Sequence, residues 1–463
     1  MHRTVVLNVV GLTEEVLPWA PRIKAFRDRH AGVPIVPAFP AVTCTAQSSY
    51  LTGLPPSGHG IVGNGWYNRE LAEVHFWKQS NHLVQGRKIW EDLRDLDPGF
   101  TCAKLFWWYN MYSSADYSIT PRPIYPADGR KVFDIYTSPF SIRPKIKKDL
   151  GEFPFPGFWG PGAGVKTPQG SRTAATDWIA ESAMWIEYAF APTLSLVYLP
   201  HLDYNLQRFG PLNPVVRRDY KEIDDIVGNL IERFEARSVQ VILLSEYGLT
   251  EMSHSIPLNR LFRQNGWLAV KDELGLEMLD PGASKVFAVA DHQIAHVYVN
   301  DPSLLGKARD FLEQSGMVAK VLGRPEKIEL GIDHPRAGDL IVIAPEDAWF
   351  SYYYWLDDRQ APDFARCVDI HRKPGYDPAE LFLDPKISLP KLRILWRLLQ
   401  KKLGFRMLMD LIPLDPSLVR GSHGARPAKV ENYPLFISSR PELLPKVPIQ
   451  PGDVYHAIKR HVL

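Results

Sequence analysis

The strongest constraint on the fold comes from three stretches that are apolar at nearly every position. Thr4 to Val10 reads Thr-Val-Val-Leu-Asn-Val-Val, Leu194 to Leu199 reads Leu-Ser-Leu-Val-Tyr-Leu, and Val239 to Leu244 reads Val-Gln-Val-Ile-Leu-Leu. Successive side chains of a strand point to opposite faces, so a strand with one face in water alternates. These runs do not alternate, and they predict central strands of a parallel sheet covered on both sides. Helical spacing separates them: Thr176 to Phe190 is amphipathic, and Asp219 to Arg237 places Ile223, Ile226, Leu230 and Phe234 along one face. Strands alternating with such helices make an α/β fold with helices on both faces of a mostly parallel sheet. Ligands in such sheets gather at the carboxyl ends of the strands. The chemistry is therefore to be sought where the apolar runs stop.

The most informative polar stretch runs from Pro40 to Asn64. It reads Pro-Ala-Val-Thr-Cys-Thr-Ala-Gln-Ser-Ser-Tyr-Leu-Thr-Gly-Leu-Pro-Pro-Ser-Gly-His-Gly-Ile-Val-Gly-Asn. Thr43 to Tyr50 can open a helix with Thr43 in its first turn. Unpaired backbone amides and the positive end of the helix dipole suit a phosphoryl group there. A hydroxyl in that place can serve as a nucleophile. Two other polar segments end strands, Pro200-His-Leu-Asp-Tyr-Asn-Leu-Gln-Arg-Phe-Gly-Pro211 and Ser245-Glu-Tyr-Gly-Leu-Thr250; a third, Val419-Arg-Gly-Ser-His-Gly-Ala425, comes late in the chain before the apolar run Pro434-Leu-Phe-Ile.

Taken together these segments resemble the type I phosphodiesterase / nucleotide pyrophosphatase family of the alkaline phosphatase superfamily. The resemblance implies an α/β, alkaline phosphatase-like three-layer sandwich, with a small inserted α+β lobe. It implies a hydrolase of phosphodiester, pyrophosphate or related bonds, with Thr43 as nucleophile and ligand to a two-metal clamp. It places Asp203, Gln207 and His423 at the first metal, and Asn8, Glu246 and Tyr247 at or beside the second. The family has aspartate at Asn8, histidine at Gln207 and Asp-His at Glu246-Tyr247. Zinc is expected from the family, but neutral oxygen donors favour Mn²⁺, Mg²⁺ or Ca²⁺. Tyrosine is a poor ligand near neutrality, so Tyr247 is expected to face substrate, as is Asn64. The alternative is a catalytically impaired relative that binds a ligand or partner. A sulfatase is disfavoured, because Cys44-Thr-Ala-Gln-Ser lacks the Cys-x-Pro-x-Arg pattern.

The rest of the chain adds expectations of its own. Phe106, Trp107 and Tyr109, in the run Phe106-Trp-Trp-Tyr-Asn-Met-Tyr112, are expected to border a leaving-group pocket, packing being the alternative. His371 and Arg372 could bring positive charge to a phosphate. His296, in a strand, is expected to be a hydrogen-bonded histidine. Residues 255–345 read as the inserted lobe, with 1–254 and 346–463 as the catalytic core. Lys391 to Phe405 is a basic amphipathic helix. Such a helix can lie on anionic lipid, but the expectation is a surface helix with one stripe packed on the sheet.

Composition bounds the remainder. A net charge of +2 over 463 residues gives no field for nucleic acid, leaving a small-molecule phosphoester as the expected partner. Three scattered cysteines make no disulfide framework. No apolar run reaches the ~18 residues of a membrane span, and the amino-terminal run is too short for a signal peptide. The expected location is cytoplasmic.

Overall fold

The computed structural model describes residues 1–168, 170–445 and 448–463. The main sheet contains β1 (Thr4–Val9), β2 (Ala31–Pro34), β3 (Cys102–Leu105), β4 (Tyr117–Pro121), β5 (Ile135–Ser138), β6 (Leu194–Leu199) and β7 (Gln240–Leu244). A smaller sheet follows, of β8 (Val286–Asp291), β9 (Ile294–Val299), β10 (Lys320–Leu322) and β11 (Leu340–Ile343). The chain then returns to the main sheet as β12 (Leu435–Ser438). The main sheet is ordered β2-β12-β7-β1-β6-β3-β4-β5. The five strands from β7 to β4 are parallel, and the antiparallel neighbours lie at the two ends.

The three apolar runs become the adjacent central strands β7, β1 and β6. Asn8 pairs with Tyr198 on one side and Leu244 on the other. This register brings the segments after Leu199 and Leu244 to the same end of the sheet. The helices that matter are α1 (Thr43–Thr52), α2 (Ala174–Phe190), α3 (His201–Phe209), α4 (Arg217–Glu235), α5 (Pro390–Lys402) and α6 (Pro451–Val462). α1 is polar in sequence, yet all ten of its residues are buried. Its hydroxyls are turned inward on the backbone: Ser48 Oγ donates to the Cys44 carbonyl and Thr52 Oγ1 to the Ser48 carbonyl, both at 2.7 Å. Gly53, at φ 71°, ends the helix and donates to the Ser49 carbonyl.

The second sheet, ordered β8-β9-β11-β10, is antiparallel throughout. It has its own hydrophobic cluster, which takes in Tyr67 and Phe76 from before residue 255 and Phe350, Trp355 and Tyr376 from after residue 345. His296 lies in β9 with both ring nitrogens bonded, to the Val62 carbonyl and the Gly338 amide, as its strand setting predicts. α5 departs from expectation: none of its residues is buried, so it packs no stripe on the sheet. Among the described residues no helix is long and apolar enough to cross a membrane.

Candidate active site at the carboxyl ends of the central strands

Thr43 stands at the first position of α1, 3 % exposed. Its hydroxyl lies 3.1 Å from the Tyr247 hydroxyl, which lies 3.5 Å from Asp203 Oδ1. Tyr247 donates to the carboxylate, so Thr43 donates to Tyr247. Asp203 sits in the first turn of α3, directly after β6, and Glu246 and Tyr247 directly after β7. The strand order that joins β6, β1 and β7 thus assembles these groups.

The carboxylates are held by amides. Glu246 Oε1 accepts from Asn8 Nδ2 at 2.5 Å and from Gln47 Nε2 at 2.6 Å. Asp203 Oδ2 accepts from Gln207 Nε2 at 2.8 Å, and Gln207 Oε1 accepts from the Tyr376 hydroxyl at 2.7 Å. Neither carboxylate has a lysine or arginine partner among the described residues. Burial accordingly pushes Glu246 up to about 8 and Asp203 up to about 7, against the pull of their hydrogen bonds.

His423 completes the group. Its Nδ1–H donates to the Ala41 carbonyl at 2.7 Å, which leaves Nε2 an unpartnered lone pair, 3.9 Å from Asp203 Oδ1. Its ring stacks on Tyr247 at 3.5 Å and lies 3.8 Å from His292. Burial pushes its pKa well down, so the imidazole is neutral. The preceding Gly421–Ser422 strand pairs with Thr250–Glu251. A Cβ at Gly421 would meet the Leu206 carbonyl oxygen at 2.1 Å, so only glycine lets this strand approach α3.

This donor set can be tested against the two-metal clamp. At the first position, a clamped imidazole turns a free lone pair toward a carboxylate oxygen, an arrangement that suits a cation. The second position does not fit. One oxygen of Glu246 is taken by two amides, the Tyr247 hydroxyl is engaged, and among the described residues no histidine is bonded to Glu246. Two carboxylates also balance the charge of one dication, not two. Asn8 and Gln207, expected beside the metals as neutral ligands or hydrogen-bond donors, each donate an NH₂ to a carboxylate; Gln207 Oε1 is taken by Tyr376, and Asn8 Oδ1 has no partner. Among the described residues, one group of three His and carboxylate side chains is close enough to hold an ion. It is His201, Asp219 and Glu222, at the starts of α3 and α4. Arg172 already pairs with both of its carboxylates and Arg218 with Glu222.

The structure brings Thr43, Asp203, His423, Glu246, Tyr247, Asn8 and Gln207 together, but not the rest. Asn64 Oδ1 accepts from the Cys44 amide at 3.0 Å and its side-chain amide donates to Asp291, so it braces α1 instead of facing substrate. Phe106 packs against Phe153, Phe158 and Trp178, and Trp107 is fully buried in the main core. Tyr109 lies in a third cluster with Cys44 and Trp66. These three are core, because the positive φ values at Phe106 and Tyr109 break the strand alternation assumed for the run. The aromatic tied to the site is Trp108, whose amide donates to Gln47 and whose ring packs on Trp77. Arg372 is spent on an ion pair with Asp363 at 2.9 Å, and His371 faces the Phe76 carbonyl.

Sequence reasoning missed Gln47 and Tyr376. Gln47 lies one helical turn after Thr43, on the same face of α1, and that spacing could have found it. Tyr376 and His292 carried no local signal. His292 sits in the left-handed region (φ 63°) at the β8–β9 turn, and the next amide, of Gln293, donates to the His423 carbonyl.

Residues 4–377 match the model of the type I phosphodiesterase / nucleotide pyrophosphatase family. This chain belongs to that family. It is similar to an uncharacterized pyrophosphatase/phosphodiesterase of Schizosaccharomyces pombe, 25% identical over 264 residues; these are 54% of this chain and 45% of that protein. Murine ectonucleotide pyrophosphatase / phosphodiesterase 5, in an inactive threonine-to-alanine form in complex with AMP, matches with a TM-score of 0.59 and 14% identity over 100% of this chain and 95% of its own. Phosphonoacetate hydrolase from Sinorhizobium meliloti in complex with phosphonoformate gives 0.60 and 14%, over 100% and 96%. These likenesses show the alkaline phosphatase-like fold expected from the sequence.

Proposed function

We propose that this protein hydrolyses a phosphodiester or pyrophosphate bond of a small molecule, with Thr43 as nucleophile and one divalent cation held by Asp203 and His423. The observation that carries this reading is the His423 lone pair facing Asp203 Oδ1 at 3.9 Å, beside a threonine at a helix start. When bound, the cation would polarise a phosphoryl oxygen. One carboxylate, one imidazole and hydroxyl neighbours suit Mn²⁺ or Mg²⁺ better than zinc.

The chain's own groups supply the other steps. Thr43 Oγ1 bonds to phosphorus as the bond to the leaving oxygen breaks; the Thr43 hydroxyl turns from Tyr247, and its proton passes to Glu246, whose Oε2 has no partner, and on to the leaving oxygen. A buried carboxyl near 8 is a competent proton acceptor at mildly alkaline pH. Water then attacks the phosphothreonine and gives a proton to Glu246, which passes it to Thr43 Oγ1 as the Thr–O–P bond breaks, freeing the phosphate product and restoring the threonine. The inactive threonine-to-alanine form of the murine relative, bound to AMP, supports a nucleotide-like substrate and a threonine in this role.

A second reading, a relative that binds without turnover, is favoured by one observation. Thr43 is 3 % exposed and its hydroxyl is engaged by Tyr247, so catalysis requires the site to open. Hydrolysis of an aryl phosphodiester and of a dinucleoside pyrophosphate, with Mn²⁺, Mg²⁺ or Zn²⁺ added, separates the two. Turnover lost in Thr43→Ala supports the enzyme. Cation binding without turnover in the native protein supports the second reading.

A further inference from the structure

The chain leaves the body after Asp384 and returns at Leu411, where the Asp384 amide donates to the Leu411 carbonyl at 2.8 Å. The centre of this excursion is α5, thirteen residues with none buried. Its orientation is fixed by charge. Arg393 and Arg397, one turn apart, both pair with Asp410, Arg397 at 3.0 Å. At about 100° per residue, Leu395 and Leu399 lie opposite those arginines, with Leu392, Leu403 and Trp396 on the flank between.

A surface helix ordinarily turns its apolar stripe to the core and its charges to water. Here the two arginines turn inward to Asp410, while Lys391, Lys401 and Lys402 stay exposed beside the leucines. Leu395 is 63%, Trp396 56% and Leu403 65% exposed, and Leu389 and Phe405 beyond the helix ends extend the patch at 63% and 64%. A contiguous apolar surface of this kind marks an interaction. From Pro385 to Met409 there are seven Lys and Arg and no Asp or Glu, in a chain whose net charge is only +2. The basic charge is therefore local to the patch.

We infer that this outward face seats the protein on an anionic lipid surface. Five of the seven basic residues lie outside the Asp410 pairs. Their long stems reach past the apolar stripe to place charge at headgroup depth, and Trp396 suits the same level. The complementary partner is a surface both apolar and negative, which is a bilayer containing acidic lipid. At thirteen residues, α5 spans about 20 Å, too short to cross a hydrocarbon core, so it lies in the interface plane. This inference does not rest on the proposed hydrolase activity.

Vesicle flotation of the full chain tests it, with phosphatidylcholine alone and with about one-third phosphatidylglycerol. The protein should float with the anionic vesicles, and roughly tenfold less with neutral ones or at high salt. The Leu395→Glu/Trp396→Glu variant should lose about tenfold of its partition while keeping the native melting temperature, since neither side chain touches the core. No flotation with either vesicle would overturn the inference. So would flotation undiminished by the double substitution. Light scattering that shows a dimer broken by Leu395→Glu, without vesicle binding, would assign the face to a second copy of the chain.

Discussion

At the scale of single residues, amides and a tyrosine stand where the family has aspartate and histidine. Each is engaged in a hydrogen bond within the site. Asn8 and Gln47 share one oxygen of Glu246, and Gln207 relays Asp203 to Tyr376. Thr43→Ala should lower kcat by several orders of magnitude, because an activated nucleophile is poorly replaced, with little change in melting temperature. Cys44 behaves differently. It is fully buried among Phe39, Ile61 and Val62, so Cys44→Ser should leave turnover intact and cost about 1–2 kcal/mol by placing a hydroxyl in that cluster. Turnover lost in the serine variant but not in Thr43→Ala would reverse the assignment. Gln207→His would set a second imidazole beside Asp203 and His423. Zinc affinity, measured by calorimetry, should rise roughly ten- to hundredfold, and unchanged affinity would show that the first position does not hold a cation.

At the scale of elements, α1 depends on the short turn that follows it. His59 is fully buried; its Nδ1 accepts from the Ile61 amide and its Nε2–H donates to Ser49 Oγ on α1, each at 3.0 Å. Burial pushes its pKa from 6.5 to about 3. Between those values the unfolded chain takes up a proton that the folded chain rejects. The stabilisation is therefore complete above about pH 6.5 and is lost as pH falls toward 3, on the order of 4–5 kcal/mol at full extent. Melting temperature should fall as pH is lowered from 6.5 to 4. His59→Asn, which keeps an acceptor for Ile61 without a titrating ring, should flatten that slope. An identical slope in both proteins would place the acid sensitivity elsewhere. α5 shows how an element can be legible and its placement not. Its periodicity reads clearly from Lys391 to Phe405, but the ion pairs to Asp410 turn the stripe outward.

At the scale of the whole molecule, the site is closed by parts from both sheets. The β8–β9 turn brings His292 against His423, and Asp291 holds Asn64, which braces the start of α1. Cation binding should therefore stabilise the molecule globally. Mn²⁺ at about a hundredfold above its Kd should add roughly 2.7 kcal/mol to unfolding, read as a rise in melting temperature. Asp203→Asn should abolish that rise. A rise that persists in Asp203→Asn would move the cation away from the proposed position.

The sequence by itself determined the central strands, the helix opening at Thr43, and the positions of Asp203 and Glu246 directly after strands. Those features are local: unbroken apolar runs, a helix start and polar residues directly after a strand are written in consecutive residues. The tertiary structure alone decided that Asn8 and Gln207 donate to carboxylates, that Trp108 and not Trp107 is tied to the site, and that Tyr376 and His292 complete it. Those outcomes turn on which side chains meet across elements far apart in the chain, such as Gln207 with Tyr376. The direction of a side chain at a positive φ, or of an amide opposite a buried charge, is set by that packing and not by its neighbours in sequence.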